Sequence, residues 1–158
     1  PMELSSLLSD LTTTGHSVQT ELLEHVSRPA TEEDAEHLEI EVGAPVVQVR
    51  RLRRADGEPI ALMTNLLPAD VAPSAEELEA HGLYELLRER GVVPQTARQV
   101  IGARSATTSE ATSLGEPRRA ALLTATRTSY DAQGRVVEFG SHIYRASRYS
   151  FQTTLFSA

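Results

Sequence analysis

Apolar and polar residues alternate with the period of a strand along Val46 to Arg54 and Ile60 to Leu67, on either side of Ala55-Asp56-Gly57-Glu58-Pro59. Asp-Gly supplies the positive-φ positions of a tight turn, so these runs predict a β-hairpin. Ala121 to Tyr130 and Val136 to Arg145 predict a second hairpin across Asp131-Ala132-Gln133-Gly134. Residues 18–27, Val100 to Arg104 and Tyr149 to Phe156 read as further strands. Between them the period changes to that of helices: Leu4, Leu7, Leu8 and Leu11 predict a short helix before a Thr-rich turn. Thr31 with Asp34, Ser74 with Glu77 and Thr107 with Glu110 each place an acid three residues after a hydroxyl, which satisfies free amides in a first helical turn. Those helices run to Leu38, Gly82 and Gly115, and another spans Leu83 to Arg90 before Gly91. Hairpins with helices between them predict an α+β domain, a mainly antiparallel sheet flanked by short helices.

The 158 residues suit one domain with a sizeable core. An excess of 22 acidic over 15 basic residues, a formal charge of −7, opposes direct contact with DNA or RNA. Zero cysteines exclude disulfides, thiol nucleophiles and thiolate metal sites. No stretch approaches the length of a membrane helix and no signal peptide opens the chain, so a cytoplasmic location without membrane contact is expected. The start Pro1-Met2 suggests a fragment of a longer protein.

Strand alternation puts Val47, Val49, Arg51 and Arg53 on one face, apolar at one end and cationic at the other. Two guanidiniums at a strand end usually reach solvent; the alternative is bidentate capture of a carboxylate or phosphate. In the last strand Val136, Glu138, Gly140, His142 and Tyr144 share a face opposite Val137, Phe139 and Ile143. That polar face either meets water or orients a ligand through Glu138 and Tyr144, with Gly140 allowing close approach. Tyr84 fits a core position with a wet hydroxyl or a ligand contact. The five histidines show no metal-ligand spacing and fit surface or capping roles, so neither a metal nor a cofactor is expected. There is no G-x-S-x-G elbow, phosphate-cradling glycine loop or dinucleotide fingerprint.

The stretch Leu38 to Pro59, with Asn65-Leu66-Leu67-Pro68, Gly82-Leu83-Tyr84-Glu85-Leu86-Leu87 and Gly134 to Arg145 followed by Arg148-Tyr149-Ser150-Phe151, resembles the UTRA domain. This is the effector-binding half of HutC-type regulators in the GntR family of bacterial transcription factors, and the resemblance spans nearly the whole chain. It implies a single domain with the chorismate-lyase-like fold, a homodimer, and an N-terminal winged helix-turn-helix outside this chain that would contact DNA. It also implies that Arg51 and Arg53 hold an anionic effector group and that Tyr84, Glu138 and Tyr144 line the pocket; Asn65 is expected to join Glu138 and Tyr144 in fixing polar parts of the ligand. Met63 stands where sugar-phosphate-sensing members have a glutamate, and Gly82 where they have a serine. Met63 would give an apolar wall, which argues against an amino-sugar phosphate. The expected function is non-enzymatic sensing of a small acidic metabolite. The alternative is a chorismate-lyase-like enzyme with Glu138 as its acid or base.

Overall fold

A computed structural model describes residues 17–157. Six strands form one antiparallel sheet: β1 (Val18–Pro29), β2 (Pro45–Ala55), β3 (Glu58–Pro68), β4 (Thr96–Ser105), β5 (Ala121–Tyr130) and β6 (Val136–Arg145). Their order across the sheet is β1-β2-β3-β6-β5-β4. Both expected hairpins form, and the first turns at Asp56 and Gly57 with φ of 51° and 85°. Pairing of β3 with β6 joins the two hairpins at the centre, with Met63 opposite His142 and Asn65 opposite Gly140.

Four short helices cover the sheet: α1 (Glu32–Leu38), α2 (Ala75–Ala80), α3 (Leu83–Glu89) and α4 (Thr108–Leu114). Thr31, Ser74 and Thr107 close reciprocal capping boxes at three of them. On one face Leu38 of α1 packs with Val46, Leu66 and Val136, while Ala111 and Leu114 of α4 pack with Leu52, Leu62, Leu122 and Ile143. On the other, Leu78 of α2 and Leu83, Leu86 and Leu87 of α3 seal Val47, Val49 and Leu67. These helices cover the apolar end of the Val47-Val49-Arg51-Arg53 row and bring α3 beside its cationic end.

Three expectations change. Gly82 does not cap the end of α2; His81 is the C-cap of that helix, and Gly82, with φ −73°, is the N-cap of α3. The register slips by one residue between Ser129 opposite Glu138 and Tyr130 opposite Val136. This bulge turns Val136 onto the Leu66 and Phe139 side, whereas Val137 lines a hollow with Val71 and Val92. The two valines therefore sit on faces opposite to those that simple alternation assigns. The segment from Tyr149 to Phe156 is not a strand: Tyr149 stacks on Tyr144, and Leu155 and Phe156 are exposed. The helix expected over Leu4 to Leu11 lies outside the described residues.

Candidate functional site

Cross-strand register assembles the site in rows. Arg51, Met63, His142 and Ala125 succeed one another across β2, β3, β6 and β5. The next row toward the β2–β3 turn is Arg53, Ala61, Tyr144 and Leu123, and on the other side Asn65, Gly140 and Arg127 align. Pleating points all these side chains to the face that α3 partly roofs.

Both arginines are only 2% exposed, so of the two readings of this strand end the solvent-exposed one does not hold. Arg51 Nη2 donates to Asn65 Oδ1 at 3.0 Å, an uncharged partner. Arg51 Nε and Arg53 Nε and Nη1 are buried without a hydrogen-bond partner among the described residues. Burial, with the charge of Arg53, lowers the Arg51 pKa to about 10, and burial lowers that of Arg53 as well. Desolvation thus opposes both charges; among the described residues no carboxylate pairs directly with either guanidinium, and the nearby Glu138 charge offsets the cost for Arg51 only in part.

Glu138 is fully buried, so its face does not meet water. Asn65 Nδ2 donates to Oε1 at 2.6 Å, while Ser129 Oγ and Tyr84 OH donate to Oε2 at 3.0 and 3.1 Å. Burial raises its pKa despite these three bonds. Tyr84 comes from the first turn of α3 and its hydroxyl also lies 3.3 Å from Ser129 Oγ. Burial, reinforced by the Glu138 charge, pushes the phenol up to about 12, so it stays protonated and donates. Asn65 therefore stands as a neutral bridge between the Arg51 cation and the Glu138 carboxylate. Met63 and Tyr144 are buried in one apolar group with Ile60, Ala61 and Ala125, beside the guanidiniums.

All seven predicted site residues lie on this face: Arg51, Met63, Asn65, Glu138 and Tyr84 around one centre, Arg53 and Tyr144 in the adjoining row. Sequence reasoning missed Ser129 and Arg127, which β5 presents to the same face, and assigned His142 to the surface. Counting register back from Tyr130 opposite Val136 without a bulge places Arg127 opposite Phe139, on the other face from Glu138; the bulge moves it opposite Gly140. A separate hollow of about 180 Å³ beside Val71, Val92 and Val137 has no comparable cation, because Arg135 there is half exposed and pairs with Asp70. Among the described residues no group of acids and histidines could hold a metal ion.

Residues 13–150 match the family model for the UTRA domain. The chain belongs to the UTRA family. This is the effector-binding domain of GntR-family transcriptional regulators. The chain is 32% identical over 120 residues to the HTH-type transcriptional repressor PhnF of Mycolicibacterium smegmatis, covering 75% of this chain and 49% of that protein. It is 27% identical over 150 residues to the HTH-type transcriptional repressor NagR of Bacillus subtilis, covering 94% and 62%. It thus spans about half to three-fifths of the length of these relatives. Among solved structures, a putative transcriptional regulator from Streptomyces coelicolor shares 46% identity with a TM-score of 0.81, covering 87% of this chain and 92% of that one. The effector domain of PhnF from M. smegmatis shares 28% identity with a TM-score of 0.89, covering 99% and 98%. The α+β architecture is that of these domains, and the relatives are named as regulators, not enzymes.

Proposed function

We propose that this domain senses a small acidic metabolite and thereby controls DNA binding by a winged helix-turn-helix elsewhere in its parent protein. The acidic group sits between Arg51 and Arg53. Asn65, Tyr84, Glu138 and Tyr144 orient the polar remainder, and Met63 forms an apolar wall that disfavours a hydroxyl at that point. The strongest support is the pair of guanidiniums, 2% exposed, with three donor atoms lacking any partner among the described residues. Two adjacent buried cations without a carboxylate are costly in the free domain, and an anion relieves that cost.

The role is non-enzymatic. Both Glu138 oxygens are engaged by protein donors, which suits a fixed orienting group better than a proton-transferring one. The parent acts as a homodimer in the cytoplasm, and the ligand shifts the balance between DNA-competent and incompetent arrangements through its different affinity for each. A coupling of about 1–3 kcal/mol is typical for such a switch. Calorimetric titration with phosphate- and carboxylate-bearing metabolites tests the site. At least one should bind, and Arg51→Ala should weaken it more than about tenfold, since a charge-assisted contact contributes ~1.5–3 kcal/mol. An acidic ligand whose affinity is untouched by Arg51→Ala refutes the assignment.

A further inference from the structure

His142 lies at the centre of β6, between Met63 on β3 and Ala125 on β5. Neither neighbour offers a polar atom on its side chain, and His142 Nδ1 is buried without a hydrogen-bond partner among the described residues. The ring folds over Gly140. A Cβ built there would stand 2.7 Å from His142 Nε2 and 2.8 Å from Glu138 Oε1. The missing side chain at position 140 thus lets the imidazole and the carboxylate converge over one point of the floor.

The charged and titratable groups around the ring are Arg51 and Arg53 on β2, Arg127 on β5, Glu138 and Tyr144 on β6, and Tyr84 on α3. β3 presents Ala61, Met63 and Asn65 to this face, none of them titratable. The Glu138 oxygens are already engaged by Asn65, Ser129 and Tyr84, so the cations dominate what the ring experiences. Burial and then the charges of Arg51, Arg127 and Arg53 lower the His142 pKa to about 3, leaving a neutral imidazole in the free domain.

We propose that His142 is a third group, beside Arg51 and Arg53, on the ligand's acid, donating to it through Nδ1, and that the domain takes up a proton at this ring as the ligand binds. The proposal rests on the acid-binding role assigned above. An anion seated between the guanidiniums offsets the part of that shift due to their charges, and it supplies a counter-charge that stabilises the imidazolium against burial. Linkage then requires the anion to bind more tightly as pH falls, because the bound state holds the additional proton. Two guanidiniums and an imidazolium suit an oxyanion with three free oxygens better than a single carboxylate.

Sulfate is the probe, because it neither gains nor loses a proton near neutral pH. Imidazole nitrogen resonances, assigned with His142→Gln, report the ring directly. Without sulfate the His142 signals should stay at their neutral positions from about pH 8 to 5; with saturating sulfate they should titrate within that range. Calorimetry in two buffers of different ionisation enthalpy should show uptake approaching one proton per sulfate at the acid end, with affinity rising about threefold or more across the range. His142→Gln should still bind sulfate, more weakly and without proton uptake. If sulfate binds and Arg51→Ala abolishes it, yet the His142 signals do not move and His142→Gln binds with unchanged affinity and pH profile, the histidine proposal fails while the acid site stands. Sulfate that fails to bind, or binds regardless of Arg51→Ala, overturns the acid site and this proposal with it.

Discussion

Replacing Arg53 with methionine should stabilise the free domain while abolishing its response to anions. Arg53 is 2% exposed, two of its nitrogens have no partner among the described residues, and its cross-strand neighbour Ala61 is wholly buried. In the unfolded chain those nitrogens are hydrated, so folding costs about 1–3 kcal/mol for a buried unsatisfied group, more when it is charged. Against this stands the attraction between Arg53 and Tyr144, which favours the charged form but is outweighed by burial. Methionine has similar length and would enter the group formed by Ile60, Ala61, Met63 and Tyr144. Exchanging buried charges for apolar residues of like volume is often neutral or stabilising by about 1–4 kcal/mol. We expect a gain of about 1–3 kcal/mol, which for a domain of this size raises Tm by ~2–4 °C per kcal/mol. Urea and thermal unfolding with and without sulfate measure both halves of the claim. The wild type should gain stability with sulfate concentration, by about 2.7 kcal/mol at a hundred times Kd, and Arg53→Met should gain none. A variant that loses more than about 1 kcal/mol would mean that Arg53 is a net structural stabiliser, and the argument from an uncompensated cation would be wrong.

Gly140→Ala should destabilise by about 1–3 kcal/mol, because the new methyl would meet both the His142 ring and the Glu138 carboxylate, which three donors hold in place. Gly102→Ala is the comparison: its Cβ meets the Thr124 hydroxyl at 2.9 Å, and that side chain can rotate away. Equal urea midpoints for wild type and Gly140→Ala would refute the crowding. Acid should unfold the domain partly through Asp34 and Glu110. The hydrogen bond from Arg28 lowers the Asp34 pKa from 3.8 to about 2, and that from Arg104 lowers Glu110 from 4.5 to about 2. Their stabilisation is complete above the unfolded values and lost as pH falls toward about 2, whereas Glu138, with its raised pKa, contributes in the opposite sense. Asp34→Asn should therefore flatten the fall of the urea midpoint between about pH 4 and 2, and an unchanged profile would exclude Asp34 as a source of the acid sensitivity.

The strand period and the local chemistry of turns and caps carry most of this architecture. Asp56-Gly57 sets the first hairpin, and hydroxyl-to-acid spacing marks where α1, α2 and α4 begin, because both are short-range demands of the backbone. Alternation likewise put Arg51 and Arg53 on the face of Val47 and Val49. It could not say whether that face is enclosed, since enclosure depends on α3 docking from more than thirty residues away. The bulge that exchanges Val136 and Val137 adds one residue to one strand, leaves the local composition ordinary, and hid the approach of Ser129 and Arg127. The apolar tail after Tyr149 matches a strand by composition alone, and composition does not decide whether a segment pairs with a sheet edge.

Asn65 shows what separates this cluster from an ordinary buried salt bridge. Its carbonyl accepts from Arg51 and its amide donates to Glu138, so the opposite charges are linked through a neutral group and do not meet. Direct contact would have neutralised the guanidinium within the protein and satisfied its donors, at a desolvation cost the pair itself could offset. With the amide interposed, the carboxylate is fixed by three donors while Arg51 keeps a charge and a free Nε. That arrangement leaves the free domain less stable than it could be, and under the function proposed above the deficit is recovered when an anion arrives. The energy available for switching therefore lies in the cations the protein declines to pair, and removing the amide's neutrality by Asn65→Asp should weaken anion binding even though no ligand-facing cation is lost.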